Sequence, residues 1–258
     1  TRQAFHTVVH AISMSPTLNS TMLMKGGILL ALKYNSTRYT KDIDFSTHKR
    51  YSEFDQDPFL RELENQLALS VEMISYGLDC KIQAVEVRPR DEGKNYQTLK
   101  LTIGYAEKGT SSHRRLLRGQ SPEVIRLDYS FNESTSHTEK LQVPGGGFII
   151  AYQIVDIIAE KYRAIIQQEI KNKYRRQDAY DLYRPLKTHP VTDQNAKSAI
   201  LESLIKKCAS RDLAPDRSSI SKAEIIERSK KDYGHLAEEI EEKLPEFEEV
   251  YGFAQEYY

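Results

Sequence analysis

The stretch KDIDFS, residues 41–46, holds two aspartates, Asp42 and Asp44, separated by one apolar residue. In a strand, successive side chains alternate faces, so both carboxylates point one way while Ile43 and Phe45 point to a core. Carboxylates about 7 Å apart along a strand repel one another unless a cation lies between them. Such oxygen donors suit Mg²⁺ or Mn²⁺, held by a few carboxylates together with substrate phosphates. EVIRLDYSF, residues 123–131, offers a third donor: Ile125, Leu127, Tyr129 and Phe131 share one face and leave Asp128 on the other with Arg126 and Ser130. The plainer reading of Asp42 and Asp44 is a pair of surface aspartates at a strand end.

Three further features could serve the same chemistry. Gly26-Gly27 lies about fifteen residues before the aspartates, where glycine lets backbone amides approach a phosphate and a following helix N-terminus favours negative charge. Lys161 interrupts an apolar stripe of Ile150, Ile154, Ile157, Ile158, Ile165 and Gln168. Such a lysine either snorkels to water past its buried stem or aims its ammonium into a phosphate site. Asp178 and Asp181, three apart, share one face of a helix; they either pair with Arg175, Arg176 or Arg184 or belong to the same site.

These residues need elements to hold them. TMLMK, KDIDFS, KIQAVEVRP, QTLKLTIGY and EVIRLDYSF alternate β-branched or aromatic with polar residues and read as strands. GILLALKY and FLRELENQLALSVEMIS carry apolar residues at helical spacing. After Gly145-Gly146-Gly147 the pattern is helical, over roughly 151–170, 174–185, 193–209, 221–231 and 234–250, with Pro185, Pro190, Pro215 and Pro245 at breaks. The expectation is an α+β chain: a mixed sheet with helices over residues 1–147, then a helical domain over 148–258 that carries Lys161 and the paired aspartates.

Composition bounds the rest. The chain has 258 residues, is 39% hydrophobic and 29% charged, and balances 37 basic against 37 acidic side chains. That excludes a disordered acidic or basic tail and a globally basic nucleic-acid binder. No apolar run reaches the roughly 18 residues of a membrane span, and two distant cysteines make neither a disulfide framework nor a zinc site, so a cytoplasmic protein is expected. Charge is nevertheless segregated. Residues 161–187 hold eight Lys/Arg and three Asp/Glu, whereas residues 232–258 hold nine acids and one base. The basic run reads as a solvated helix face or as a site for nucleotide or RNA phosphate, and the acidic run as a partner surface or an intramolecular cover.

Strand, Gly-Gly, helix, then a strand bearing Asp-x-Asp resembles the nucleotidyltransferase fold of the polymerase-beta type. With Ala159-Glu160-Lys161-Tyr162-Arg163-Ala164 and Arg175-Arg176-Gln177-Asp178-Ala179-Tyr180-Asp181-Leu182-Tyr183 following Arg38-Tyr39-Thr40-Lys41-Asp42-Ile43-Asp44 in that order, the chain resembles the AbiEii/AbiGii family of nucleotidyltransferase toxins. The resemblance implies that Asp42 and Asp44 bind metal, with Asp128 as their third candidate. It further implies that Gly26, Gly27, Arg38 and Lys161 meet the nucleotide, and that Asp178 either orients the lysine or acts as a general base. The family's Ser/Thr next to the glycine pair is missing, because Ile28 follows Gly27.

The activity so implied is metal-dependent transfer of a nucleoside monophosphate from an NTP to an RNA acceptor, with a tRNA 3′ end as first choice. A cognate antitoxin is a candidate partner, and no membrane is involved. The alternatives are a non-catalytic nucleotide-binding module, transfer to a protein hydroxyl, or an interaction protein dominated by its acidic C-terminal helices.

Overall fold

The computed structural model of the chain describes residues 1–90 and 96–258. In chain order the helices and strands are α1 (Arg2–Met14), α2 (Pro16–Thr21), β1 (Leu23–Lys25), α3 (Gly26–Tyr34), β2 (Asp42–Ser46), α4 (Gln56–Ile74), β3 (Leu78–Arg88), β4 (Thr98–Glu107), α5 (Ser111–Leu117), β5 (Val124–Ser130), β6 (Thr138–Gln142), β7 (Phe148–Tyr152), α6 (Ile154–Ile166), α7 (Arg176–Thr188), α8 (Gln194–Ala209), α9 (Ala223–Lys230) and α10 (Phe247–Tyr257). They form two compact units that interleave in sequence. One comprises Thr1–Lys25, Lys41–Glu133 and Thr138–Ala151; the other comprises Gly26–Thr40, Ser134–His137 and Tyr152–Tyr258.

The first unit is built on a seven-stranded mixed sheet in the order β3-β4-β5-β2-β1-β7-β6. β2 runs parallel to β5 and antiparallel to β1, which in turn runs parallel to β7. One face is apolar: Met24, Ile43, Phe45, Leu99, Leu101, Ile103, Ile125, Leu127 and Tyr129 are all buried. Tyr129 continues into an aromatic cluster with Phe54, Phe59 and Phe131, with ring centroids 4.8–6.0 Å apart. The alternation expected of β2 and β5 is therefore present, and it delivers their aspartates to the opposite, polar face.

In the second unit α6, α7 and α8 pack with the C-terminal helices. Ile158, Tyr162, Ile165, Leu182 and Leu204 are among the residues of one apolar cluster, and Tyr180, Leu236, Phe247 and Val250 are among those of another. Among the described residues no helix is long and apolar enough to cross a membrane.

Two expected elements differ. FIIAY, residues 148–152, is a strand, so Ile150 does not belong to the Lys161 stripe, and the helix begins at Ile154. Two isoleucines and two aromatics in five residues favour extended backbone, and pairing with β1 supplies the ladder. The expected helix over 234–250 is a short 3₁₀ turn, Tyr233–Glu238, then irregular chain through Pro245, then α10. Pro245 has no N–H to donate and disfavours a helical residue before it.

Candidate active site

On the polar face of the first unit's sheet, strand register decides which side chains become neighbours. Asp44 lies opposite Asp128 of β5 and opposite Lys25 of β1, and Lys100 of β4 lies opposite Asp128. A row Lys100, Asp128, Asp44, Lys25 therefore crosses four adjacent strands, and Asp42 sits opposite Arg126 one pleat away. Paired residues in a sheet share a face, so three carboxylates and three cations occupy one polar surface. Lys100 Nζ donates to Asp128 Oδ2 at 2.5 Å, and buried Lys25 lies 3.8 Å from Glu133. Among the described residues no three His, Cys, Asp or Glu side chains gather as a metal centre. Asp42 and Asp44, half-buried on one strand face, have the oxygen chemistry that Mg²⁺ takes when substrate phosphates complete its shell.

The second unit carries the glycine pair, Arg38, Lys161 and the two later aspartates, and here the geometry is tighter. Gly26 has φ +75°, the left-handed region that favours glycine. A Cβ on Gly27 would lie 2.9 Å from Arg38 Nη2. Gly27 thus leaves room for the guanidinium that packs against the start of α3. Arg38 donates from Nε and Nη2 to the two oxygens of Asp181, at 2.8 and 3.0 Å. This bidentate fork is the strongest geometry available to arginine and a carboxylate. Its Nη1 donates to Glu239 at 3.3 Å. Lys161 Nζ donates to Asp178 Oδ1 at 2.8 Å and to Asp181 Oδ2 at 2.6 Å.

Asp178 and Asp181 are buried, and the Lys161 side chain is 13% exposed. A buried charge is costly unless paired and hydrogen-bonded, and here two cations face two carboxylates. Burial alone would lower the Lys161 pKa; Asp178 and Asp181 outweigh it, so the ammonium is held more firmly than in water. Arg38 is raised in the same way by Asp181 and Glu239 against its burial. For Asp181 burial acts upward, but Arg38 and Lys161 prevail and hold the carboxyl down to about 2. Lys161 does not snorkel. Asp178 differs from Asp181 in one respect: its Oδ2 accepts no hydrogen bond among the described residues and has only Arg175 Nε nearby, at 3.7 Å. A buried carboxylate oxygen with open lone pairs can receive a proton or hold a donor.

The acidic run acts, in part, as an intramolecular cover. Glu239 accepts from Arg176, Glu242 from Arg184 and Tyr180, and Glu249 from Lys187 and Tyr183. Those donors lie along one stripe of α7. Sequence reasoning did not single out Asp181 ahead of Asp178, and it missed Glu239. Glu239 also ties its backbone to the Arg38 segment, accepting from Tyr39 N at 2.6 Å. The only signal for Asp181 was its one-turn spacing from Asp178; for Glu239 there was none beyond the charge of the run.

Known structures share this architecture. The chain is similar to JHP933 from Helicobacter pylori, with 15% identity, TM-score 0.54, and 99% of this chain and 88% of that one covered. It is similarly close to a putative nucleotidyltransferase from H. pylori, with 15% identity, TM-score 0.51, and coverage of 99% and 90%. MenT4, a nucleotidyltransferase toxin from Mycobacterium tuberculosis, aligns at 13% identity and TM-score 0.49, over 98% of this chain and 86% of that one. A comparison with the curated proteins finds no match. The chain thus shares its fold with JHP933 and with the putative nucleotidyltransferase. The profile of the family described as nucleotidyl transferase AbiEii toxin, type IV toxin–antitoxin system, matches residues 13–252. With nearly the whole length matched, the chain belongs to the AbiEii family and is a nucleotidyltransferase.

Proposed function

We propose that this toxin transfers a nucleoside monophosphate from an NTP to the 3′ end of an RNA acceptor, tRNA first among the candidates, in a metal-dependent reaction in the cytoplasm. The observation that carries the reading is the buried Lys161 ammonium clamped by Asp178 and Asp181, a fixed cation of the kind that a phosphate site uses. In this reading Asp42 and Asp44 would hold Mg²⁺, which when bound would supply charge neutralisation for the triphosphate. Asp128 stands ready as a third donor if Lys100 yields it. Gly26 and Gly27 present backbone amides to phosphate at the start of α3, and Arg38 holds the position that the family resemblance gives to nucleotide binding. Lys161 contacts phosphate, oriented by Asp178 and Asp181. The open oxygen of Asp178 is the candidate acceptor for a hydroxyl proton. A cognate antitoxin is the expected protein partner.

Incubating the protein with each α-labelled NTP, Mg²⁺ and total tRNA should label RNA in wild type and not in Asp44→Asn. Label appearing in protein with none in RNA would replace RNA by a protein hydroxyl as acceptor. Full activity in Asp44→Asn would overturn the assignment of the metal carboxylates.

A further inference from the structure

Outside the catalytic residues, the second unit gathers cations around one exposed aromatic ring. Tyr174, 48% exposed, sits in the turn between α6 and α7 within the sequence Lys171-Asn172-Lys173-Tyr174-Arg175-Arg176, which contains no acid. Lys231, just past α9, places Nζ 4.0 Å from the ring centroid, and Arg228 places its guanidinium carbon 5.6 Å away. Arg228 also donates to Asn172 Oδ1 at 3.1 Å, which joins α9 to the turn.

The platform is held from beneath by Gln168. Its amide donates to Ser229 Oγ at 2.8 Å, and its carbonyl oxygen accepts from Arg175 N at 2.7 Å, with Gln168 and Ser229 both buried. The amide therefore stitches the turn before α7 to the end of α9. This explains a buried polar residue in the turn just past α6 that no catalytic role requires. A ring fixed in this way does not have to be ordered when a ligand arrives.

Cations near an exposed aromatic face match one ligand chemistry well. An unpaired nucleotide stacks its base on the ring while its phosphates meet the flanking Lys and Arg. A duplex keeps its base faces occupied and would meet only the charges. Arg228 and Lys230 are paired with Glu224 and Glu248, whereas Lys231, among the described residues, has no carboxylate partner and rests on the ring.

We infer that Tyr174, Lys231 and Arg228 form a stacking platform for an unpaired stretch of the RNA acceptor, resting on the RNA reading above. The test uses the full chain and the fluorescence anisotropy of a labelled ten-nucleotide single-stranded RNA and of a blunt duplex of the same sequence, at several salt concentrations. Tyr174→Ala should weaken single-strand binding about five- to 150-fold, the range that one base stacked on one ring provides, without changing the salt slope. Tyr174→Phe keeps the ring and should bind as wild type does. Lys231→Gln should lower the log–log salt slope by about 0.7. Duplex binding should not respond to Tyr174→Ala. Single-strand binding by Tyr174→Ala equal to wild type, or equal losses for single strand and duplex, would overturn the platform alone. Absence of any RNA binding or labelling by wild type would overturn the acceptor reading and the platform with it.

Discussion

Asp181→Asn measures how much energy the buried ion cluster stores. In the wild type this carboxylate, 2% exposed, accepts twice from Arg38 and once from Lys161. Its pKa of about 2 lies just under two pH units below the ordinary 3.8. At 1.36 kcal/mol per unit that gap corresponds to about 2 kcal/mol of folding stability at neutral pH. The amide removes this contribution and turns one acceptor into a donor facing a cation. The total cost should therefore approach the roughly 3–5 kcal/mol of a buried pair that has lost one partner. The sign with pH follows from the direction of the shift. A carboxyl depressed in the folded state stabilises fully above its unfolded pKa, and the stabilisation disappears as pH falls through the folded value. Urea unfolding followed by circular dichroism should thus show a constant wild-type advantage from pH 5 to 8 that narrows from about pH 4 toward pH 2. A variant within about 0.5 kcal/mol of wild type at pH 7, or a difference that does not narrow in acid, would refute the reasoning.

Lys161→Met should abolish transfer and also lower the urea midpoint, because Asp178 and Asp181 lose their shared ammonium; a variant as stable as wild type would return the lysine to a peripheral role. Gly27→Ala should lower activity and stability together. The added methyl pushes the Arg38 guanidinium off its bidentate pair with Asp181, a loss that outweighs the about 0.5–1 kcal/mol alanine returns to the helix, so transfer and thermal midpoint should both fall; wild-type values for both would show that the guanidinium simply shifts aside. Asp44→Asn should lose transfer yet unfold within about 1 kcal/mol of wild type, since the half-exposed carboxylate already faces Asp128; a large drop in the midpoint would assign it a structural role instead. Arg184→Gln removes a partly exposed pair with Glu242 and should shift stability by about 0–1 kcal/mol, readable as a small midpoint change that vanishes in high salt.

Much of this architecture could be read from period and punctuation. β2 and β5 alternate cleanly, so their aspartates could be assigned to a shared face before any coordinates. The Gly26-Gly27 turn and the helix behind it followed from residue type. FIIAY was misassigned because Ile150 happens to continue the helical spacing of Ile154, Ile157 and Ile158. What makes it a strand is β1, which lies far away in sequence. The short helices α2 and α5 and the edge strand β6 received no assignment for a related reason: brief elements take their identity from what they pack against. The 13-residue α1 also went unassigned. In the site, Lys161 stood out as a charge in an apolar stripe. Its partners could not be ranked, because Arg38 meets Asp181 across 143 residues and Glu239 across 201. The acidic run announced its charge but not its target.

The interleaving of the two units has a consequence in time. A nascent chain that has emerged to residue 151 contains every segment of the first unit, including Asp42, Asp44 and Asp128. At that moment Arg38 exists but Asp181 does not, and Glu239 lies still further along. The Gly26–Thr40 excursion must therefore wait, solvated, while its surroundings are synthesised. Contacts of such long sequence separation also close slowly, since loop entropy is lost before they form. The lysine cluster is among the last features that a ribosome can complete, so synthesis delivers the strands of Asp42, Asp44 and Asp128 early and the paired ammonium with its full set of partners only near the end.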